Sequence, residues 1–242
     1  MSEAPVTLIT GASSGIGRAL ALRLLDEGHT VLNLSRRGSP EPHGRLHDVA
    51  LDLTDGEATA TAAREIAARW PVTRIVHNAG IVRPNLLPEA TAEDVGVLTQ
   101  LHVTSPMILT QAVLPAMEAA RFGRILFVTS RAALGVPTRT AYSATKAAVH
   151  GMLRTWALEL GPRGITANAV APGPILTDNF WGIIDRGSER EARLADALPV
   201  RRLGTVDDVV HAARFFLDEA AGFTTGQVLY VCGGASVGTL TL

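Results

Sequence analysis

Two side chains that could do chemistry together stand four residues apart in the stretch AYSATK, residues 141–146. Tyr142 is one of only two tyrosines in the chain, and Lys146 follows it by one helical turn. That spacing puts both side chains on one face of a helix. A free tyrosine titrates near pH ~10, and a neighbouring ammonium lowers that pKa. The pair fits a proton donor with its tuning partner, although an ordinary surface pair has the same spacing.

A glycine-rich stretch, TGASSGIG (10–17), separates a short apolar run from a helical pattern. Its three glycines permit a tight turn and let backbone N–H groups approach a pyrophosphate. The helix that follows points its positive N-terminal end at that charge. A strand before and a helix after are the context that a dinucleotide-binding turn requires. We therefore expect this stretch to bind the phosphates of a cofactor.

The second predicted strand ends in Ser35, Arg36 and Arg37, where the adenosine ribose of a bound dinucleotide is expected. An acidic residue here would hold the ribose 2′-hydroxyl of NAD. Arginine instead binds a phosphate through two parallel hydrogen bonds. The sequence thus predicts NADP(H) as the cofactor with NAD(H) possible, the alternative being a solvated arginine pair.

The elements that must position these residues alternate between short apolar runs and longer helical patterns. The predicted strands are residues 6–10, 30–35, 49–53, 74–79, 124–130, 165–171 and 228–232. The predicted helices are residues 16–27, 54–70, 91–120, 142–160 and 206–217. Continuously apolar strands are typical of parallel sheets covered on both faces. We predict a single α/β domain over residues 1–242, a Rossmann-type doubly wound parallel sheet of about seven strands with helices on both faces.

Three features interrupt this regular pattern. The stretch GSPEPHGR (38–45) is too short and too rich in Gly and Pro for a crossover helix. Pro106 and Pro115 should kink or interrupt the helix over 91–120. Residues 178–199 carry many charges and little clear pattern, which indicates a lid. The apolar side chains of that lid suggest a partly apolar pocket, or packing on the body of the domain: Phe180, Trp181, Ile183 and Ile184.

Composition argues against several classes of protein. Net charge is −1, and Lys and Arg are dispersed, so neither a nucleic-acid face nor a basic membrane-binding block is expected. No apolar run approaches the length of a membrane span, and no signal-peptide pattern precedes the first strand. Cys232 is the only cysteine, so we expect no internal disulfide and no metal site. The composition predicts a soluble cytoplasmic protein.

With these motifs in order, the chain resembles the short-chain dehydrogenase/reductase family from Val6 to about Gly238. The resemblance is carried by five motifs in sequence: TGASSGIG, Asp52-Leu53, Asn78-Ala79-Gly80, Ser130 with Tyr142 and Lys146, and Pro172-Gly173 with Ile175 and Thr177. It implies hydride transfer between NADP(H) and a small carbonyl or secondary alcohol substrate. Ser130 would hydrogen-bond the substrate oxygen, Tyr142 would exchange a proton with it, and Lys146 would tune Tyr142 and hold the nicotinamide ribose.

The resemblance also implies a set of cofactor contacts and a homo-oligomer, either a tetramer or a dimer. The tetramer would pair the helix over 91–120 and the helix bearing Tyr142 with those of a neighbour. The expected cofactor-binding residues are Gly11, Ser13, Ser14, Gly15, Ile16, Gly17, Ser35, Arg36, Arg37, Asp52, Leu53, Asn78, Ala79, Gly80, Tyr142, Lys146, Pro172, Gly173, Ile175 and Thr177.

The chain departs from the family pattern at three places. In LHVTSP (101–106), His102 stands where the family has an asparagine that holds a water in a proton path to the lysine. We count His102 as a catalytic candidate, with a purely structural histidine as the alternative. Cys232 replaces the usual aspartate of a C-terminal segment that is often near a subunit contact. Because the stretch 38–45 is too short for a crossover helix, the side of the fold that would face the adenosine is smaller than in the family pattern.

The sequence does not identify the substrate. A 3-oxoacyl thioester reductase is one alternative, for which Arg121 and Arg124 would offer a basic docking surface to an acidic carrier. A non-catalytic NADP-sensing module is another, motivated by His102. Arg131 and Arg139 fit either an anionic substrate group or solvated surface positions. Fold alone does not choose among the family's sugars, steroids, alcohols and acyl thioesters.

Overall fold

The computed structural model describes residues 4–237, which fold around one seven-stranded parallel sheet. The strand order is β3-β2-β1-β4-β5-β6-β7. The strands are β1 (Val6–Thr10), β2 (Thr30–Ser35), β3 (Leu46–Ala50), β4 (Arg74–His77), β5 (Gly123–Val128), β6 (Ile165–Pro172) and β7 (Val228–Val231). Neighbouring strands pair in parallel throughout, with Thr7 opposite Val31 of β2 and Arg74 of β4.

Eight α-helices surround the sheet. They are α1 (Gly15–Asp26), α2 (Gly56–Arg69), α3 (Ala92–Thr99), α4 (Ser105–Ala120), α5 (Thr140–Leu160), α6 (Asp178–Trp181), α7 (Glu189–Asp196) and α8 (Val206–Leu217) among the described residues. Side chains alternate along each strand, so β1 sends Leu8 into a core formed with α2, α4 and α5, and Ile9 into a core formed with α1 and α8. The predicted parallel sheet with helices on both faces is confirmed.

The third strand does not lie where the sequence predicted it. The apolar run 49–53 suggested a buried strand, but β3 is Leu46–Ala50. As an edge strand, β3 pairs only with β2 and is half exposed, so burial does not mark its position. Its Asp48 accepts a hydrogen bond from the Asn33 side chain of β2 at 2.7 Å. Asp52 and Leu53 therefore lie in the turn after β3 rather than at its end.

The long helix predicted over 91–120 is divided into two. Between α3 and α4, residues Gln100–Thr104 form a wider π-helical turn, in which the Ser105 N–H bonds to the Gln100 carbonyl. Pro106 falls in the first turn of α4, where its missing N–H costs nothing. Pro115 lies inside α4 without ending it. The interruption carries His102, and π-helical turns often occur at functional sites.

The two segments predicted to be irregular differ from each other. Residues 38–45 contain no helix, as expected. Residues 178–199 contain two short helices, so the expectation of little pattern was wrong. Thr177 caps α6 and Ser188 caps α7, each through its hydroxyl. The Ser188-x-x-Glu191 spacing is a capping signal that the sequence prediction did not use.

The topology brings the candidate residues to one edge of the sheet. In parallel strands all carboxyl ends point the same way, and the chain reverses its order between β1 and β4. A crevice at such a reversal is where open α/β sheets bind ligands. No helix in the described part of the chain is long and apolar enough to cross a bilayer.

Candidate active site

The glycine-rich turn after β1 has a backbone that only glycine adopts readily. Gly11 and Gly15 have positive φ angles of 73° and 54°. At Gly17, a Cβ atom would collide with the Asn78 side chain and the Gly11 carbonyl. Ser14 precedes α1 without a side-chain cap, which leaves the first N–H groups of the helix available to an anion.

Asn78, from the turn after β4, braces this glycine turn. Its side-chain amide donates to the carbonyls of Thr10 and Gly11, both at 3.0 Å. Thr10 in turn accepts the backbone N–H groups of Asn78 and Ala79 through its hydroxyl. The NAG motif therefore fixes the shape of the phosphate turn.

The catalytic candidates come from β5 and α5. Ser130 follows β5 by two residues, and its hydroxyl accepts the Ala132 N–H at 3.1 Å. Tyr142 lies in the first turn of α5, and Lys146 lies one turn later. The Lys146 ammonium is 5.7 Å from the centre of the Tyr142 ring. The predicted one-face arrangement of this pair is thus what the helix produces.

The predicted tuning of Tyr142 by Lys146 is not what this structure gives. Burial raises the pKa of Tyr142 above its usual value, and the Ser130 hydroxyl and the Arg139 charge act against that rise. Lys146 instead donates to the Val128 carbonyl at 2.9 Å. A raised pKa keeps the phenol protonated at neutral pH, which suits proton donation.

Lys146 is itself strongly affected by burial. Its side chain is only 5% exposed, and desolvation lowers its pKa to about 8. It is also the only lysine in the chain. An ammonium has three N–H donors, so the bond to Val128 leaves two for other acceptors in the crevice.

His102 faces the same lysine from the π-helical turn. It is 3% exposed, and burial, together with the Lys146 charge, lowers its pKa far below its usual value. Its Nδ1 lies 2.9 Å from the Thr145 hydroxyl, whose single proton can go to the Ala141 carbonyl, the Tyr142 carbonyl or Nδ1 itself. When a carbonyl takes that proton, the hydroxyl accepts from Nδ1–H, and the neutral ring presents Nε2 as an acceptor.

The free nitrogen of His102 borders a space beside Lys146. His102 Nε2 has no hydrogen-bond partner among the described residues. A Cβ built on Gly80 would lie 3.2 Å from Nε2 and 3.6 Å from the Lys146 Nζ. Glycine at position 80 thus keeps open a polar space between an acceptor and a donor. A cavity of about 10 Å³ adjoins His102 and Lys146, close to the size of one water.

The predicted ribose-binding arginines lie at the other end of the crevice. Arg36 and Arg37 are exposed, and among the described residues no carboxylate pairs with either. Ser35 is buried, with its hydroxyl on the Asn33 side chain. Asp52 is exposed and bonds the N–H and hydroxyl of Thr54, which lower its pKa.

Residues after β6 close the crevice from the opposite side. The Thr177 side chain lies over Gly15, since a Cβ at Gly15 would meet Thr177 Cγ2 at 3.6 Å. Ile175 is buried and pairs with Gly204. Pro172 ends β6, and Gly173 leaves no room for a side chain because Cys232 lies 2.8 Å from its would-be Cβ. Cys232 therefore packs beneath this segment.

Sequence reasoning missed or misplaced several residues. Thr145, which orients His102, sits one residue before Lys146 and gave no motif signal. Glu41 forms an ion pair with Arg18 across the ribose end, from a loop with no pattern. Arg124 was wrongly assigned to a docking surface. It is 3% exposed, stacks on Phe122, and donates to the carbonyls of Asp218 and Glu219.

These residues fit a dinucleotide with a 2′-phosphate. The glycine turn offers backbone N–H groups for the pyrophosphate, and the unpaired Arg36 and Arg37 suit a phosphate on the ribose. The open space at Gly80 and the remaining donors of Lys146 suit the nicotinamide ribose.

Comparison with known proteins agrees with this geometry. A family model described as enoyl-(acyl carrier protein) reductase matches residues 11–236. The chain is 37% identical to the (2S)-[(R)-hydroxy(phenyl)methyl]succinyl-CoA dehydrogenase subunit BbsD of Thauera aromatica, over 96% of each protein. It is 36% identical to the 3-oxoacyl-[acyl-carrier-protein] reductase FabG of Haemophilus influenzae, over 96% of this chain and 98% of FabG.

A solved structure with bound NADP has the same fold. It is a candidate NAD(P)-dependent gluconate 5-dehydrogenase from Beutenbergia cavernae, 32% identical, with a TM-score of 0.88 over 98% of this chain and 99% of the other. The family resemblance drawn from the sequence motifs is confirmed by these matches. The chain belongs to the short-chain dehydrogenase/reductase family of oxidoreductases.

Proposed function

We propose that this chain transfers a hydride between NADP(H) and a carbonyl or secondary alcohol, with Tyr142 as the general acid and base. The observation that carries the proposal is the position of Tyr142, partly buried beside Ser130 and Lys146 at the carboxyl edge of the sheet. NADP rather than NAD is supported by the unpaired Arg36 and Arg37, and by NADP in a solved relative.

The chain's own residues would divide the chemistry among them. When bound, the cofactor supplies or accepts the hydride. Ser130 donates a hydrogen bond to the substrate oxygen, and Tyr142 gives that oxygen its proton during reduction or takes it during oxidation. The raised pKa of Tyr142 supports carbonyl reduction near neutral pH. Lys146, held by the Val128 carbonyl, would offer its two remaining N–H donors to the nicotinamide ribose.

His102 would serve the return of the proton to Tyr142. Its Nε2 is an acceptor without a partner in the described chain, and it shares the space above Gly80 with the Lys146 ammonium. One water in that space would accept from Lys146 and donate to His102, as it would to the carbonyl oxygen of an asparagine. This role needs the tautomer in which Nδ1–H donates to the Thr145 hydroxyl.

A 3-oxoacyl thioester reductase is the second candidate, because FabG and related reductases are 34–36% identical to this chain. Arg124 does not belong to a basic docking surface for such a carrier, because it is buried and donates to the carbonyls of Asp218 and Glu219. Comparing kcat/KM for acetoacetyl-CoA with that for small ketones separates the candidates. A non-catalytic NADP-binding module would bind the cofactor and turn over neither class.

The domain organisation, the oligomeric state and the location of the chain are also proposals. We expect one domain over residues 1–242, with 178–199 as a substrate lid beginning directly after Thr177. A homo-oligomer is supported by exposed apolar side chains on α4 and α5, such as Met107 and Leu158. Light scattering measures its size, and a monomer would contradict it. Cytoplasmic location stays a prediction.

The testing experiment is a thermal melt with NADPH or NADH, followed by NADPH oxidation on a carbonyl panel. A ligand at ~100 times its dissociation constant adds roughly 2.7 kcal/mol. For a chain of this size, each kcal/mol moves the melting midpoint by about 2–4 °C. A rise with NADPH that exceeds the rise with NADH, and turnover of a ketone, is the expected result. No rise with either would reject the proposal.

A further inference from the structure

A second buried histidine lies near the catalytic end and has no part in the proposed hydride transfer. His77 ends β4, directly before the NAG turn, and is 5% exposed. Its Nε2 lies 2.9 Å from the Thr110 hydroxyl of α4. Its Nδ1 is also buried but has no hydrogen-bond partner among the described residues. Because a buried polar atom without a partner destabilises the folded state, the surroundings of this nitrogen need an explanation.

A small cavity brings this histidine together with the catalytic groups. The cavity of about 10 Å³ is lined by His77 as well as by His102 and Lys146. Its walls thus combine one ammonium with two buried nitrogens that lack a partner in the described chain, His77 Nδ1 and His102 Nε2. The volume is close to that of one water. Water occupies buried cavities that offer it several polar partners, whereas purely apolar cavities stay dry.

The cavity lies against the edge of the His77 ring that carries Nδ1. Thr10 and Phe127 are the neighbours of His77 on the adjacent strands, and both line the cavity. Thr110, which contacts Nε2, is not among the described residues that line it. Because Nδ1 lies nearer the strand backbone than Nε2 does, Nδ1 is the ring nitrogen on the cavity side.

One water in the cavity satisfies all three groups at once. Lys146 gives one N–H to the Val128 carbonyl, so its ammonium has donors left for the water. With His102 Nε2 as an acceptor, the water receives one hydrogen bond and gives one. It then has one proton and one lone pair left, so it can pair with either tautomer of His77. Three partners are the number that buried waters typically have.

His77 is suited to holding this water rather than to exchanging protons with it. Burial lowers the pKa of His77 to about 3, so its ring is neutral at neutral pH. The ring is fixed by Thr110 at one edge and by Phe127, whose ring centroid lies 4.8 Å away. A fixed, neutral ring keeps the water in one place beside the ammonium.

We propose that His77 is a positioning residue, which anchors a buried water between His102 and Lys146. The inference deepens the proposed function, on which the catalytic roles of His102 and Lys146 rest. A water that accepts from an ammonium favours the charged form of that ammonium. Loss of the anchor should therefore lower the pKa of Lys146 further and slow the return of a proton to Tyr142.

The first test titrates Lys146, the only lysine, by NMR of the full-length protein labelled with isotopic lysine. In His77→Leu the pKa of Lys146 should fall by about one unit, in keeping with the loss of one hydrogen bond to a charged group. In His77→Asn it should stay near the wild-type value, because the amide places a polar atom where Nδ1 lies. The titratable groups around Lys146 are unchanged in both variants: Tyr142, His102 and His150.

His29→Leu is the matched control. His29 also contacts a threonine hydroxyl, that of Thr7, at 2.9 Å, but it is not among the described residues that line the cavity. Its replacement should leave the pKa of Lys146 unchanged. If the pKa of Lys146 does not move in His77→Leu, or falls equally in His77→Asn, the proposal is overturned and His77 has a packing role only.

A crystal structure of the wild-type protein covers the case in which His77→Leu does not fold. The expected result is one water within about 3.2 Å of His77 Nδ1, His102 Nε2 and Lys146 Nζ. A dry cavity, or a water that contacts only one of the two histidines, would reject the proposal.

Kinetics test the link to proton return. On a ketone that the wild type reduces, kcat of His77→Leu should fall by about tenfold, less than for loss of the general acid itself. The solvent isotope effect on kcat should rise, which a loss of packing alone would not cause. An unchanged isotope effect would contradict the role in proton return. If the wild type reduces no ketone, the proposed function fails, whereas the water and the pKa of Lys146 still decide whether His77 anchors the site.

Discussion

The charged groups at the two ends of the crevice differ in their exposure to solvent. At the catalytic end, the charged and titratable groups are buried, with Lys146 5% and His102 3% exposed. At the ribose end, Arg36 and Arg37 are exposed on a loop without regular structure. Burial fixes the positions of side chains and shifts their pKa values. Charges on an exposed loop are instead screened by salt and influenced by neighbouring side chains.

The catalytic end derives its order from regular elements. Lys146 is held by the Val128 carbonyl of β5, and His102 by Thr145 of α5. Each of these groups sits on a strand end, a helix or a π-helical turn. A substitution there changes a preorganised arrangement in a poorly hydrated place, so its effect on rate should be large.

The ribose end depends on side chains that meet across a loop. Arg18 of α1 is paired with Glu41, and Asp48 of β3 accepts the Ser39 N–H at 3.1 Å with both oxygens. Two carboxylates thus hold residues 38–45 close to the arginines that should bind the phosphate. Single substitutions there should change cofactor affinity modestly and leave the chemical step intact.

The largest effect at the catalytic end is expected for Tyr142→Phe. Removing the phenol hydroxyl deletes the proton donor while keeping the ring that packs edge-on to His102. We expect kcat to fall by about 10³-fold, within the range for a lost general acid. NADPH affinity, measured by fluorescence titration, should change less than about threefold. Retained turnover would move the acid role to another group.

Lys146 offers a direct measurement of burial at the catalytic end. As the only lysine, it gives one side-chain signal in protein labelled with isotopic lysine. We expect its pKa to be about 8, against 10.5 for a free lysine, because burial disfavours the ammonium. The sign follows: the buried charge costs stability below about pH 8, and that cost disappears as pH rises toward 10.5. A midpoint above 10 would mean the site is well hydrated.

Sequence reasoning succeeded where a pattern reflects buried, regular structure. Residues 6–10, 30–35 and 206–217 are strands and a helix with the predicted bounds. It failed at β3, an edge strand whose exposure hides it. An interruption was predicted at Pro106 and Pro115: the π-helical turn Gln100–Thr104 lies directly before Pro106, whereas Pro115 does not end α4. The pairing of Glu41 with Arg18 depends on a loop meeting α1 in space, which residue spacing along the chain does not encode.

A second test asks whether His102 acts as an acceptor or only fills space. His102→Asn retains an acceptor, whereas His102→Leu fills the volume with apolar atoms. We expect kcat to fall by about 10–100-fold in His102→Leu and by less than about fivefold in His102→Asn. Solvent isotope effects should rise in the leucine variant if proton return becomes limiting. Equal losses in both variants would assign His102 a structural role.

At the ribose end, Arg36→Gln and Arg37→Gln should act on binding alone. Each should weaken NADPH binding by roughly tenfold, the low end for hydrogen bonds to a charged group, because the sites are exposed. NADH binding should not change, and kcat at saturating NADPH should be preserved. The loss should shrink as salt is raised, since exposed charges are screened. Loss of NADH binding as well would mean that the arginines support the fold of the loop.

The smallest effect, with the opposite sign, is expected at Glu41. Its carboxylate pairs with Arg18 from the loop beside Arg36 and Arg37, so it lowers the positive charge available to a 2′-phosphate. Glu41→Gln should tighten NADPH binding about two- to fivefold, in keeping with the small energies of exposed ion pairs, and leave NADH unchanged. Glu27, at the C-terminal end of the helix that carries Arg18, pairs with Arg214 of α8; Glu27→Gln is the control, with no effect expected. Weaker NADPH binding in Glu41→Gln would show that the ion pair holds the loop in its binding conformation. The ribose end would then resemble the catalytic end, because at both ends the position of the side chains would matter more than their net charge.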